Sequence, residues 1–292
     1  MLEILNTEMP SIFTLPLAQV FLLFIIFSFV GWISEVFYVG VFHEHKFVNR
    51  GMLHGPICPV YGFGGLVVFC QPLFILDSWI FSFIGSMILC SAVEYLASYV
   101  LEKTLHTTWW DYSHYKFHLN GRICLLNSTL FGLMGMAGAK ILRPILYWLL
   151  CLLNQRQTEL VSVGLALVLL IDLITTINRL VNFRTVMARI KDFGEELKVR
   201  FAEETWFNGE SFETMFASVR LHAEETKDKV SVALVEKMDH LAEHRQKYIN
   251  TFIAKFPTMK SKLHSDSLEY AKLKFKVAVA EKKSRIKEKL AR

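Results

Sequence analysis

Charge is what the first half of this chain lacks most. Residues 9–34 contain no Asp, Glu, Lys or Arg, and neither do residues 51–76. With 53% hydrophobic residues and a mean hydropathy of +0.35, the chain is too apolar for an ordinary soluble domain. The first eleven residues carry no Lys or Arg and two Glu, so they do not read as the basic n-region of a signal peptide. The five cysteines include no CxxC; all lie in or beside apolar segments and read as small buried hydrophobes. His43, His45, His54 and His106 show no HExxH or similar ligand spacing, and no metal site is expected. There is no GxxxxGK[ST] loop and no G-x-S-x-G elbow, which excludes nucleotide hydrolysis or acyl transfer by those routes. No catalytic residue, cofactor or nucleic-acid partner is expected.

The charge that is present is placed unevenly. Residues 1–183 hold 9 Lys+Arg and 10 Asp+Glu, and residues 184–292 hold 23 and 17. This divides the chain into a transmembrane helical domain, 1–183, and a charged α-helical cytoplasmic extension, 184–292. The extension is nearly free of Gly and Pro, with breaks at Asn208-Gly209 and Pro257, and reads as helices over about 184–206, 211–255 and 267–291. Asp266 and Glu269 form a capping-box pattern for the last helix. Its basic end (Lys282, Lys283, Arg285, Lys287, Lys289) fits a solvated hairpin, homo-oligomerisation through these helices, or an anionic membrane surface.

Charge-free runs of about 20 residues locate membrane spans. The pattern predicts an all-α polytopic bundle of about five spans: 9–34, 51–76 (apolar from about Val60), Trp79–Leu101, Ile123–Ala139 and Glu159–Ile177. Residues Ile145–Leu153 are too short to span. They are re-entrant, interfacial, or a continuation of the fourth span beyond a kink at Arg143-Pro144. Lys46 and Arg50, then Lys103, Lys116 and Arg122, then Arg179 and Arg184 fall in alternate connections. The positive-inside rule therefore puts those connections and the C-terminus in the cytoplasm and the N-terminus outside the cell membrane.

Two blocks share one plan. In the first, Trp32 and Glu35 lead to Asn49-Arg50-Gly51 and Cys58-Pro59-Val60-Tyr61-Gly62. In the second, Glu94 leads to Trp109-Trp110-Asp111-Tyr112 and Asn120-Gly121-Arg122-Ile123-Cys124. A carboxylate in an apolar helix is expensive and points to function. We read Glu35, Arg50, His54, Glu94, Asp111, Asn120 and Arg122 as a substrate-binding set on the cytoplasmic side, with Glu35/Arg50 and Glu94/Arg122 as ion pairs that either bind a ligand or fix the bundle. Asp172 faces the same side. Cys90, Ser91, Glu94 and Ser98 share a helix face that should point inward. The Gly/Pro-rich stretch 49–65 suggests a re-entrant loop whose backbone amides and Arg50 suit an anion, or an interfacial loop. Trp109, Trp110 and Tyr112 read as an interfacial aromatic belt, Trp32 as packing, and Gly132 and Gly135 as a close-approach seam on the fourth span.

Together with Gly31-Trp32-x2-Glu35, Gly55-Pro56-x-Cys58-Pro59-Val60-Tyr61-Gly62, Glu94-Tyr95, Leu101-Glu102-Lys103 and Asn120-Gly121-Arg122-Ile123-Cys124-Leu125, these motifs resemble the bacterial ABC-transporter permease family, type IV (CmpB-like), over about residues 15–180. The resemblance implies a membrane transport component working in the lipid bilayer with a separate ATPase subunit or other membrane protein. No EAA-like ATPase-docking loop is present. Two other readings stand beside transport: a non-catalytic membrane scaffold or sensor signalling through its cytoplasmic helices, and a lipid-modifying membrane enzyme using His54, Asp111 or Glu94.

Overall fold

The computed structural model describes residues 12–39, 49, 51–243, 252–261 and 263–290. The chain forms two compact units, Met1–Leu105 with Trp109–Thr176, and His106–Thr108 with Ile177–Arg292.

The first unit is an all-α bundle. Its helices are α1 (Leu17–Val39), α2 (Pro59–Phe69), α3 (Leu73–Asp77), α4 (Trp79–Leu105), α5 (Leu125–Ala137), α6 (Arg143–Cys151) and the start of α7 (Gln155–Phe201). Among the described residues, four helical stretches are long and apolar enough to cross a membrane: Leu17–Tyr38, Trp79–Leu105, Leu125–Cys151 and Gln155–Phe201. Burial is inverted relative to a soluble bundle. Ser28, Ser82 and Ser86 are fully buried, whereas Phe37, Trp79 and Ile80 are exposed. In lipid, apolar side chains gain nothing by turning inward, so small and polar residues take the helix contacts.

The expected second span, 51–76, is broken. Pro59 starts α2 at a first-turn position, where its missing N–H costs nothing. Pro72 separates α2 from the five-residue α3. The 11 residues of α2 rise only ~16 Å against a hydrocarbon core of ~30 Å. Cys58 N, just before α2, bonds Ser28 O at the midpoint of α1, and Lys140 Nζ reaches Asp77 O at the end of α3. The start of α7 meets the start of α1, with Ser162 Oγ donating to Ala18 O at 2.9 Å. α2 packs antiparallel to α1 (Gly31 against Tyr61, Gly65 against Phe27) and to α4 (Gly64 against Cys90, Gln71 against Gly85). So α1 and α4 run in the same sense, and α7 joins them with Ser162 beside Ala18 and Asp172 beside His54.

Residues Ile145–Leu153 are not re-entrant. α5 passes through a π-helical turn, Gly138–Leu142, into α6 as one stretch. Pro144 would clash with the carbonyl of Lys140 in a regular α-helix, and the wider turn absorbs it.

The second unit has its own core. Phe183, Met187, Ile190, Phe193 and Leu197 line one face of the later part of α7 and are buried with Phe212, Met215, Phe216 and Val219 of α8 (Phe212–Thr226). The expected helix over 211–255 is interrupted. α8 ends at Lys227, which adopts φ 51° with no glycine to signal it, and α9 follows at Lys229–Glu243. Ser211 and Thr214 form a capping box at the start of α8. The one expected at Asp266 is absent, because α10 (Ser265–Leu290) starts earlier and Asp266 sits inside its first turn. A short antiparallel pair joins β1 (Thr107–Thr108) to β4 (Lys260–Ser261).

The imidazole of His264 in this unit is held below its ordinary pKa. Burial is the main cause, Lys191 and Arg184 add to it, and Asp192 opposes them. As pH falls through the ordinary value of about 6.5, the unfolded chain takes up this proton before the folded one. Stability is therefore expected to fall as pH drops from about 7 towards 5. Protection factors, which correct amide exchange for its intrinsic slowing at lower pH, should fall over that window in peptides covering 177–201 and 252–277 of the wild type, and less in His264→Gln.

Candidate functional site

The described residues just before α2, Asn49 and 51–58, are tied together by their own polar groups. Asn49 Oδ1 accepts from Trp32 Nε1 at 2.8 Å and from Gly51 N at 3.1 Å, and its amide donates to His54 O. Asp172 on α7 then takes the loop's exposed donors: His54 N and Gly55 N each reach its carboxylate at 2.8 Å, and Thr176 Oγ1 adds a third bond at 3.3 Å. The His54 ring lies 4.0 Å from the same carboxylate. The backbone amides that seemed free for an anion are therefore spent on Asp172. Asp172→Ala is expected to destabilise the first unit by about 1–3 kcal/mol, since two charge-assisted bonds to the loop are lost. Thermal unfolding in detergent checks this; Asp172→Asn should recover part of the loss.

Glu35 and Glu94 are each held by a tyrosine. Tyr61 Oη donates to Glu35 Oε2 at 2.8 Å, and Tyr112 Oη donates to Glu94 Oε1 at 3.2 Å. The two pairs converge because α1 and α4 run in parallel and each acid lies late in its helix. Tyr112, in the loop before α5, lies in the field of both acids. Burial first, then Glu94 and Glu35, hold its phenol well above the usual range and keep it a hydrogen-bond donor. Glu94 is only 6% exposed, and its second oxygen, Oε2, has no hydrogen-bond partner among the described residues.

The expected pairing of Glu94 with Arg122 does not form. Arg122 bonds Glu102 instead, Nη2 to Oε2 at 2.9 Å, with side chains 14% and 11% exposed. Its Nη1 reaches Tyr95 Oη at 3.1 Å, and its guanidinium stacks over the rings of Tyr95 and Tyr99. Glu102 lies two turns beyond Glu94 on α4, level with the loop that carries Arg122. Asn120 also serves this cluster, donating to Tyr95 Oη at 2.9 Å. Asn120 and Gly121, at φ 53° and 69°, are the central residues of a turn closed by Arg122 N on Leu119 O at 3.0 Å, within the three-residue connection between β2 (His118–Leu119) and β3 (Ile123–Cys124). Positive φ at both positions is what an Asn-Gly hairpin turn requires. Asp111 closes a local turn through Ser113 N at 2.9 Å. Trp109 is buried at 2% exposure rather than lying in an interfacial belt, and Trp110 donates to Arg122 O. Gly132 faces the Phe83 ring and Gly135 faces Ser86, both on α4. Arg50, with His43, His45 and Lys46, lies outside the described residues, and so does the Glu35/Arg50 pairing. Cys58 and Cys124 are buried, whereas Cys70 and Cys151 are exposed.

The structure therefore joins Glu35, Glu94 and Tyr112 at one site, sets Asn120 and Arg122 in a second cluster, and ties His54 to Asp172. Tyr61, Tyr95 and Glu102 are the partners that sequence reasoning missed. All three were visible as polar groups in or beside apolar helices. Among the described residues, no three His, Cys, Asp or Glu are grouped to hold a metal ion.

Such an inverted bundle with acid–phenol pairs in its interior defines a polytopic helical membrane protein. A family model described as "Putative ABC-transporter type IV" matches residues 22–177, more than half of the chain, and the protein belongs to that family. The matched region contains both carboxylate–tyrosine pairs, Arg122 and Asp172. No curated protein and no solved structure matches the chain.

Proposed function

We propose that the protein is the membrane component of a transporter, and that the Glu35–Tyr61 and Glu94–Tyr112 pairs form a binding site for a small cation or cationic solute. The observation that carries this reading is the unpartnered Oε2 of Glu94. A carboxylate oxygen buried among helices needs a donor or a positive charge, and transport sites in membranes are where such groups are kept. Two carboxylates and two phenol oxygens favour a positive ligand over the anion that an acid–arginine site would suit. With Arg122 engaged by Glu102, the ligand itself supplies the charge. The site opens to the cytoplasm by the positive-inside argument, and a separate ATPase subunit supplies the energy that this chain's motifs do not. Family membership favours transport over catalysis.

The test is a thermal-shift panel on the purified full chain in detergent, using monovalent and divalent metal ions and small amines. A bound ligand raises Tm with its concentration. At least one cation should raise Tm in the wild type, and the shift should vanish in Glu35→Gln/Glu94→Gln. If no cation distinguishes the wild type from that variant, the reading fails.

A further inference from the structure

Ser82, Ser86, Ser91, Glu94 and Ser98 form a buried polar row along α4. Their spacing of three to five residues keeps them on one side of the helix, over about 24 Å. A serine in a membrane helix ordinarily bonds a carbonyl one turn back or a neighbouring side chain. Ser91 does the second, donating to Ser128 Oγ on α5 at 2.7 Å. Ser82 and Ser86 do neither. Both are 0% exposed, and neither hydroxyl has a hydrogen-bond partner among the described residues.

A third group from another element meets them. Gln71, in the break between α2 and α3, is 8% exposed, and among the described residues both its amide oxygen and its amide nitrogen lack hydrogen-bond partners. Its Oε1 occupies the space a Cβ on Gly85 would fill, so only glycine at 85 admits it beside Ser82 and Ser86. Gly135 of α5 is pressed against Ser86 from the other side. An amide packed against Gly85 and two hydroxyls within one turn of it on α4 thus have their hydrogen bonds unmade among the described residues. At the far end of the same row, Glu94 Oε2 is unmade as well. Buried polar groups in native proteins are satisfied by protein or by ordered water.

We propose that this seam holds water and is a proton path. It runs from the end of the unit where Asp77, Lys140 and Arg143 lie, past Gln71, Ser82 and Ser86, through the Ser91–Ser128 pair, to Glu94. A hydroxyl both donates and accepts, as water does, so the row relays a proton without a charged side chain along its length. Neutral ligands this few favour water and protons over a metal ion, which needs a fuller oxygen shell. The path ends at the carboxylate of the proposed cation site, but it stands on Gln71, Ser82 and Ser86, which that site does not use.

The experiment uses the full chain in phosphatidylethanolamine/phosphatidylglycerol vesicles with a trapped pH dye, an imposed pH gradient and the membrane potential clamped. The wild type is expected to dissipate the gradient at least fivefold faster than empty vesicles. Gln71→Leu and Ser82→Ala/Ser86→Ala should each remove most of that excess while keeping the cation-induced rise in Tm. Glu94→Gln should lose both. A wild type no faster than empty vesicles overturns the proposal. It is also overturned if the serine double variant conducts like the wild type and has a higher Tm, the signature of dry hydroxyls that were merely costly. Loss of the cation shift with the flux intact would sink the binding-site reading and leave the seam standing.

Discussion

Arg122→Ala is expected to lower the stability of the first unit by about 3–5 kcal/mol, more than any other single truncation in the loop before α5. The guanidinium sits in a nearly enclosed box of Glu102, Tyr95 and Tyr99, bonded at 2.9 and 3.1 Å. Removing it takes from the Glu102 carboxylate, only 11% exposed, the bond and the positive charge that Arg122 supplies. A well-packed apolar pair could replace such an ion pair cheaply, whereas half of a pair cannot stand alone. Arg122→Ala/Glu102→Ala should therefore recover part of the loss. Arg122→Lys should recover less than charge alone suggests, since an ammonium does not lie flat on two tyrosine rings while bonding a carboxylate. Unfolding by SDS titration or heat, followed by tryptophan fluorescence, gives the three comparisons. If the double variant is less stable than Arg122→Ala, the stranded-charge account is wrong. The cation shift assigned to Glu35 and Glu94 should survive in Arg122→Lys, because Arg122 does not touch either acid.

The reach of the sequence here follows from the range of each interaction. The face of α4 bearing Cys90, Ser91, Glu94 and Ser98 was legible because helical spacing is a local property. The membrane class and the approximate spans were legible because hydrocarbon imposes length and apolarity on each crossing. Partner choice was not. Glu94 and Arg122 are the obvious opposite charges of their block, but the depth of Arg122 is set by the Asn120-Gly121 hairpin. That turn places it level with Glu102 rather than Glu94. Tyr61 sits in a Gly/Pro-rich string that reads as a turn, yet Pro59 starts a helix there and aims the phenol at Glu35. The second pass was overestimated for the same reason: residues 51–76 lack charge, but absence of charge does not prevent Pro72 from ending a helix. At the break, exposed Lys227 takes the left-handed C-cap conformation and donates to Ala223 O, while Asp228 caps α9 through Ser231 N; of the two only the aspartate is a residue that marks a helix boundary in sequence.

Gly31→Leu is expected to undo both the α1–α2 contact and the candidate site. A Cβ on Gly31 would run into the Tyr61 ring, one on Gly62 into Phe24 and the Ser28 hydroxyl, and one on Gly65 into the Phe27 ring. The neighbours struck are buried aromatic bodies rather than flexible tips, so the helices must separate or tilt. Overpacking of this kind costs about 1–3 kcal/mol per site, and more where backbones are held close by several such contacts. For Gly31 the functional loss should exceed the structural one, since the displaced ring is the one whose hydroxyl holds Glu35. Gly31→Ala is the sharper variant: it adds one methyl, leaves helix propensity better than before, and still meets the Tyr61 Cβ. It should weaken the cation-induced Tm rise at least tenfold in apparent affinity while the protein remains folded. Gly164→Ala is the internal control, because nothing lies within 4 Å of the added Cβ and the residue is inside the 47-residue α7. There the methyl should be neutral or stabilising by up to about 1 kcal/mol. If Gly31→Ala and Gly164→Ala behave alike in both Tm and cation response, close approach of α1 to α2 does not set the position of Tyr61.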